Sequence, residues 1–181
     1  MIDTLISSKT RIKLLLKFFL NGSTEGYLRG LQAEFGDSSN GIRVELNRLE
    51  GAGLLKTSLV GNKRMFRANQ EHPLYEQIHQ IVRKHVGLDR ILNTIAAQLG
   101  ELQRVYLAGS FSQGLDSGVI DLILVGEVDK VYLLDLVERA ELKVGRKVRY
   151  VVFKESELKG GALQGFSPEP LLLWDAKFPN R

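Results

Sequence analysis

The sequence predicts a mixed α/β (α+β) chain in two halves, on three observations. Apolar residues recur at helical spacing through residues 10–50, then give way to two extended runs around Gly61-Asn62. From Arg104 onward, strand-like runs alternate with helical ones. Charge is unevenly placed: residues 1–70 hold 11 Lys and Arg against 6 Asp and Glu, and residues 71–181 hold 14 against 15. A basic excess confined to one half points to a polyanionic partner for that half.

In the first half, Ile12, Leu15, Leu16, Phe19 and Leu20 line one helical face. Ser7 or Ser8 is placed to cap its start, and Asn21-Gly22 ends it. Leu28, Leu31 and Phe35 mark a second, shorter helix stopped by Gly36. Asp37-Ser38-Ser39 makes a tight turn and caps a third helix, with Ile42, Leu46 and Leu49 inward and Gly51-Ala52-Gly53 at its end. Leu55–Val60 and Lys63–Ala68 form a hairpin. Three helices and a hairpin are the layout of a winged helix-turn-helix. The outward face of the third helix carries Ser39, Asn40, Arg43 and Asn47, and Arg and Asn can bond guanine and adenine edges bidentately. Lys63, Arg64 and Arg67 lie on the hairpin, where a wing meets phosphates. Any one of these is more simply a solvated polar residue. The order of elements, the tight turn and the basic wing together carry the DNA reading.

His72-Pro73 closes this half. Leu74, Ile78, Ile81, Val82 and His85, then Leu88, Ile91, Leu92, Ile95, Ala96 and Leu99, form helical stripes that link the halves or offer a dimer surface. His72, His79 and His85 lack metal-ligand spacing, and the absence of cysteine excludes disulfides and thiolate metal sites. Beyond Arg104 the expected order is strand 104–108, short helix 110–116, strand 119–125, helix 130–142 with Leu133, Leu136, Val137 and Ala140 inward, and strand 147–153. The tail, with Pro168-Glu169-Pro170 and Leu171–Trp174, adds a final strand or covers an apolar face. Domains are therefore expected at 1–72 (DNA-binding), 73–102 (helical linker) and 103–181 (α/β). No run approaches the ~20 apolar residues of a membrane span, and no signal-peptide pattern is present. A cytoplasmic setting without a membrane partner is expected.

Specific segments carry a family resemblance. They are Arg43–Leu55, Phe66-Arg67-Ala68-Asn69, His72-Pro73-Leu74-Tyr75, Leu107–Gly114, Asp121–Gly126 and Gly145–Val152. In order and spacing they resemble a prokaryotic family that joins an N-terminal winged helix to a minimal nucleotidyltransferase-like domain of the polymerase-beta type. The resemblance implies a Gly-Ser turn that approaches phosphate, then strand carboxylates that hold Mg²⁺. Gly109, Ser110, Gly114 and Asp121 match as nucleotide-binding positions, either retained or vestigial. Gly118 and Val119 replace the expected Ser and first Asp, and the third acid falls within Val148–Val151, where Arg149 or Tyr150 stands. One carboxylate of three is a poor Mg²⁺ site. Asp116 lies five residues before Asp121 and reaches the site only if its loop folds back.

The resulting expectation is a DNA-binding transcriptional regulator with a catalytically degenerate nucleotidyltransferase-like domain for ligand sensing, partner binding or dimerisation. No catalytic residue, metal site or cofactor is assigned. Double-stranded DNA is the partner, with a nucleotide as candidate ligand and a homodimer as candidate assembly. The rival is an active nucleotidyltransferase that moves NMP from NTP with Mg²⁺ to a protein or small-molecule acceptor. It has the Gly-Ser turn and Asp121 in its favour, and Val119 and the missing third acid against it.

Overall fold

The computed structural model describes residues 2–96, 98–99 and 101–178. The fold is mixed α+β with two separate sheets, and the chain divides into two compact units. One extends to His85 and includes Gln113–Leu115; the other comprises Val86–Ser112 and the residues from Asp116 on.

The first unit opens with α1 (Ile2–Leu5) and α2 (Lys9–Phe19). Ser8 caps α2, its hydroxyl accepting from the Arg11 N–H at 3.2 Å. The expected stripe on α2 is buried, but Leu14 and Phe18 are fully buried as well. The helix is therefore the centre of the unit rather than a helix with one wet face. Lys17 is buried too, and its ammonium reaches Glu34 at 2.9 Å, the partner a buried charge requires. α3 (Leu28–Phe35) stops at Gly36, whose φ of +67° suits glycine. α4 (Ser39–Gly51) is capped by Ser38, which accepts from the Gly41 N–H at 3.1 Å. Asp37 instead takes Lys13 Nζ at 2.7 Å and the Thr10 hydroxyl at 2.8 Å. The Lys13 hydrogen bond holds the Asp37 carboxyl below its ordinary value.

β1 (Glu25–Tyr27) was not expected from the sequence. It pairs antiparallel with β3 (Lys63–Ala68), and β3 pairs with β2 (Leu55–Val60), giving the order β1-β3-β2. The β2–β3 register runs from Leu55↔Ala68 to Val60↔Lys63. Gly61 opens the two-residue turn at φ +61°, the position where a type II′ turn demands glycine. α5 (Tyr75–Val86) docks through the Tyr75 ring, 5.7 Å from that of Phe19, and through His79 Nδ1, 2.6 Å from the Phe19 carbonyl. Burial pushes the Tyr75 phenol up.

The second unit begins with α6 (Leu88–Ile95), so the stretch read as linker contributes one helix to each unit. There follow β4 (Leu102–Ala108), α7 (Gly109–Ser112), β5 (Val119–Gly126), α8 (Lys130–Val144), β6 (Lys147–Phe153), α9 (Glu155–Lys159), a 3-10 turn at Ala162–Gly165 and β7 (Leu171–Asp175). The sheet order is β6-β5-β4-β7, with only the β5–β6 pair parallel. Asp129 caps α8, accepting from the Val131 and Tyr132 N–H groups, and the four expected inward residues of α8 are buried. The helix expected at 110–116 ends at Ser112. The tail resolves as a strand: β7 pairs with β4, and Arg104 Nε meets Asp175 Oδ2 at 2.9 Å. Leu158, Leu163 and Phe166, from segments with no strong periodicity, cover Ala108, Ile123 and Val125.

Candidate functional site

Two places carry the residues singled out by sequence. In the first unit, α4 buries Ile42, Glu45, Leu46 and Leu49. The remaining face turns outward, exposing Asn40, Arg43 and Asn47 and half-exposing Ser39. Arg48, not singled out, is exposed on the same helix. Lys63 and Arg64 lie beside the hairpin turn and are exposed; Lys63 Nζ sits 4.5 Å from the Tyr27 ring centroid. Arg64 is paired through one guanidinium nitrogen with Glu50 at the end of α4 and lies 5.3 Å from the Phe66 ring. Arg67 is four residues further along β3, roughly 13 Å from the turn end. It borders a separate cleft rather than the hairpin tip.

Glu45 positions α4 from beneath. Its carboxylate, 6% exposed, accepts from the Ser8 hydroxyl at 2.9 Å, Arg11 Nε at 2.8 Å and Arg48 Nη1 at 3.3 Å. Burial pushes the Glu45 carboxyl up, but the hydrogen bonds from Arg11 and Ser8 and the charges of Arg11 and Arg48 outweigh it, and the net shift is downward. A signal for this residue was present in the sequence, since position 45 falls inside the 42–46–49 stripe.

In the second unit, β5 presents Asp121 and, two residues earlier on the same strand face, Val119. The parallel register sets Asp121 directly opposite Arg149. Arg149 forks onto Asp121, Nε to Oδ1 at 2.6 Å and Nη2 to Oδ2 at 3.0 Å. Hydrogen bonding to Asp121, and then the aspartate's charge, push the Arg149 guanidinium up. Gly109, at φ +62°, leaves the space that the Asp121 carboxylate fills; a Cβ there would collide with it. Ser110 is exposed, and the buried Ser112 donates to the Gly109 carbonyl at 2.9 Å, closing the turn. Gly114 belongs to the first unit, where a Cβ would run into the backbone of Leu16 and Lys17.

Asp116 is held by a second fork, from Arg146 at 2.5 and 2.7 Å, and accepts from the Gly118 N–H at 3.0 Å. Arg146 lies 5.3 Å from the Phe111 ring. Magnesium demands several hard oxygen donors in near-octahedral array. Here Asp121 and Asp116 are each engaged by a guanidinium, and no group of three His, Asp or Glu among the described residues is arranged to hold a metal. The donor set does not fit a Mg²⁺ site.

No family model matches the sequence, and no curated protein matches it. Several solved structures are similar. A candidate nucleotidyltransferase from Sulfolobus solfataricus shares 24% identity over 55% of this chain and 87% of its own, with a TM-score of 0.39. The complex of a tri-AMPylated HEPN toxin with its MNT antitoxin from Shewanella oneidensis matches at 17% identity over 52% of this chain and 74% of that one, with a TM-score of 0.39. TrmBL2, an archaeal chromatin protein described with a novel mode of DNA binding, matches at 16% identity over 78% of this chain and 65% of that one, with a TM-score of 0.25. At these scores none carries a function to this chain. No described helix is long and apolar enough to cross a membrane.

Proposed function

We propose that this chain is a DNA-binding regulator whose first unit is a winged helix-turn-helix and whose second unit is a nucleotidyltransferase-like domain without metal-dependent transfer. The observation that carries the DNA reading is the outward face of α4, with Asn40, Arg43 and Asn47 exposed beside a hairpin bearing Lys63 and Arg64. The order of elements supports it, because β1 lies between α2 and α3 and the β2–β3 hairpin follows α4 as a wing follows a recognition helix. In this reading Ser39, Asn40, Arg43 and Asn47 face base edges while Lys63 and Arg64 meet phosphates. Arg64 must then exchange Glu50 for a phosphate oxygen. A homodimer reading two half-sites about one helical turn apart is the assembly such a unit favours.

Fluorescence anisotropy of the full chain with duplex DNA, at several salt concentrations, tests this reading. Affinity should fall log-linearly with salt as counterions are released. Absence of salt-dependent affinity for any duplex sinks it. For the second unit, the fork between Asp121 and Arg149 supports loss of transfer chemistry. Incubation with Mg²⁺ and labelled nucleoside triphosphates should leave no label on protein or small-molecule acceptors. Label that disappears in Asp121→Asn would reinstate the enzyme.

A further inference from the structure

A cleft of about 370 Å³ opens on the first unit, bordered by Glu25 of β1, Arg67 of β3 and Lys56 of β2. Its sides are tied. Gln70 Nε2 donates to the Gly22 carbonyl at 2.9 Å, and Lys56 Nζ pairs with Glu71 at 2.5 Å. The Lys56 hydrogen bond holds the Glu71 carboxyl below its ordinary value.

Between these sides, Glu25 and Arg67 are direct cross-strand partners. Such partners have Cβ atoms about 5 Å apart and, when oppositely charged, ordinarily attract. Neither side chain has a hydrogen-bond or ion-pair partner among the described residues, although the Arg67 charge also helps draw the Glu71 carboxyl down. Lys56 is taken up by Glu71, and Gln70 by the Gly22 carbonyl. The cleft therefore offers one guanidinium fork and one carboxylate, adjacent and both exposed. A ligand with two negative ends would meet Glu25 and Glu71, and one with two positive ends would meet Arg67 and Lys56. A molecule with a carboxylate and an ammonium close together satisfies both groups, because guanidinium matches carboxylate bidentately.

We propose that this cleft binds a small zwitterion of the α-amino-acid class, its carboxylate on Arg67 and its ammonium on Glu25, with the ligand side chain toward the Lys56–Glu71 pair. Exposed charges contribute little each, so binding should be no tighter than a Kd of about 1 mM.

Thermal unfolding of the full chain with each standard L-α-amino acid in turn, at ~10 mM, tests the proposal. At least one should raise Tm by a few degrees and shift amide resonances of β1 and β3. Acetate, ammonium and betaine at the same concentration should do neither. Arg67→Gln and Glu25→Gln should each abolish the effect. Both positions are exposed, so the ligand-free Tm should stay close to that of the parent. Resonance mapping on the unaltered chain gives an answer even if a variant folds poorly. The proposal is overturned if no amino acid produces either signal, if the Tm rise survives Arg67→Gln, or if acetate alone reproduces it. DNA is absent throughout, so the outcome is independent of the DNA reading.

Discussion

The cations singled out at the two candidate sites differ in the company they keep. On the outward face of α4 and the hairpin turn, Arg43 and Lys63 have no acidic partner among the described residues. At the β5–β6 junction, Arg146 and Arg149 are each forked onto an aspartate. A cation without a partner gives up only water when a phosphate arrives. A forked one must first release its carboxylate, and the carboxylate must release it before taking a metal. The contrast belongs to these two places and not to the units as wholes, because Arg11, Lys13, Lys17, Arg48 and Lys56 of the first unit are paired with acids just as Arg104, Arg139 and Lys147 of the second are. Arg64 is intermediate, because it lies on the hairpin yet pairs with Glu50.

The largest expected effect tests whether the units are separate at all. Phe18→Ala empties the centre of the first unit and should cost about 3–5 kcal/mol. Trp174, the only tryptophan, lies on β7 of the second unit. In urea, the circular-dichroism midpoint should fall while the Trp174 fluorescence midpoint holds. Midpoints that fall together would break the contrast.

Next comes the support beneath α4. Glu45→Gln should cost about 1.5–3 kcal/mol at neutral pH, because hydrogen bonds to a charged group are lost. The Glu45 carboxyl is depressed on folding, so its contribution is present above an ordinary value of 4.5 and is lost as pH falls through the lower folded value. The stability difference between parent and variant should therefore narrow as the solution is acidified below that point. A constant difference across an acid titration would remove Glu45 from the account.

Substitutions on the exposed face sharpen the comparison directly. Arg43→Ala should relax base preference at one position, by about 1–3 kcal/mol in competition binding. Lys63→Ala should weaken all duplexes alike and flatten the salt slope by about 1. If instead Arg146→Ala or Arg149→Ala flattens the slope as much, partnered and unpartnered cations do not differ as argued.

The smallest effect is expected at the fork of Arg149 on Asp121. Arg149→Ala should leave Tm nearly unchanged and confer no Mg²⁺-dependent stabilisation, since Asp121 alone remains a poor donor set. Val119→Asp combined with Arg149→Asp supplies three neighbouring carboxylates and should make Tm rise with Mg²⁺. A Mg²⁺ response in the unaltered chain would contradict the reading of this site.

Much of the element order was legible because the long helices carry strong apolar periodicity and their ends carry caps. Gly36, the Ser38 turn, the Gly61-Asn62 hairpin and the inward face of α8 all follow from neighbours within a few residues. What was missed lacks such a signal. β1 is three residues, Glu-Gly-Tyr, and is a strand only because β3 pairs with it from some forty residues away. α2 showed its strongest stripe but not that Leu14 and Phe18 are enclosed as well. α9 and the 3-10 turn form over the sheet face they cover.

The candidate site divides in the same way. By itself the sequence established which side chains are available: Asn40, Arg43 and Asn47 on the outer side of a helix, Lys63 and Arg64 at a turn, and Val119 where a carboxylate would be needed. Helical spacing and strand alternation are local, so composition and period suffice for these. Which groups meet is a matter of register between distant segments. The parallel pairing of β5 with β6 selected Arg149 over Tyr150 as the residue opposite Asp121. The pairing of β1 with β3 placed Glu25 beside Arg67, on a cleft rather than at the hairpin tip. Tertiary structure decided both, because cross-strand neighbours are set by hydrogen-bonded pairing and not by distance along the chain.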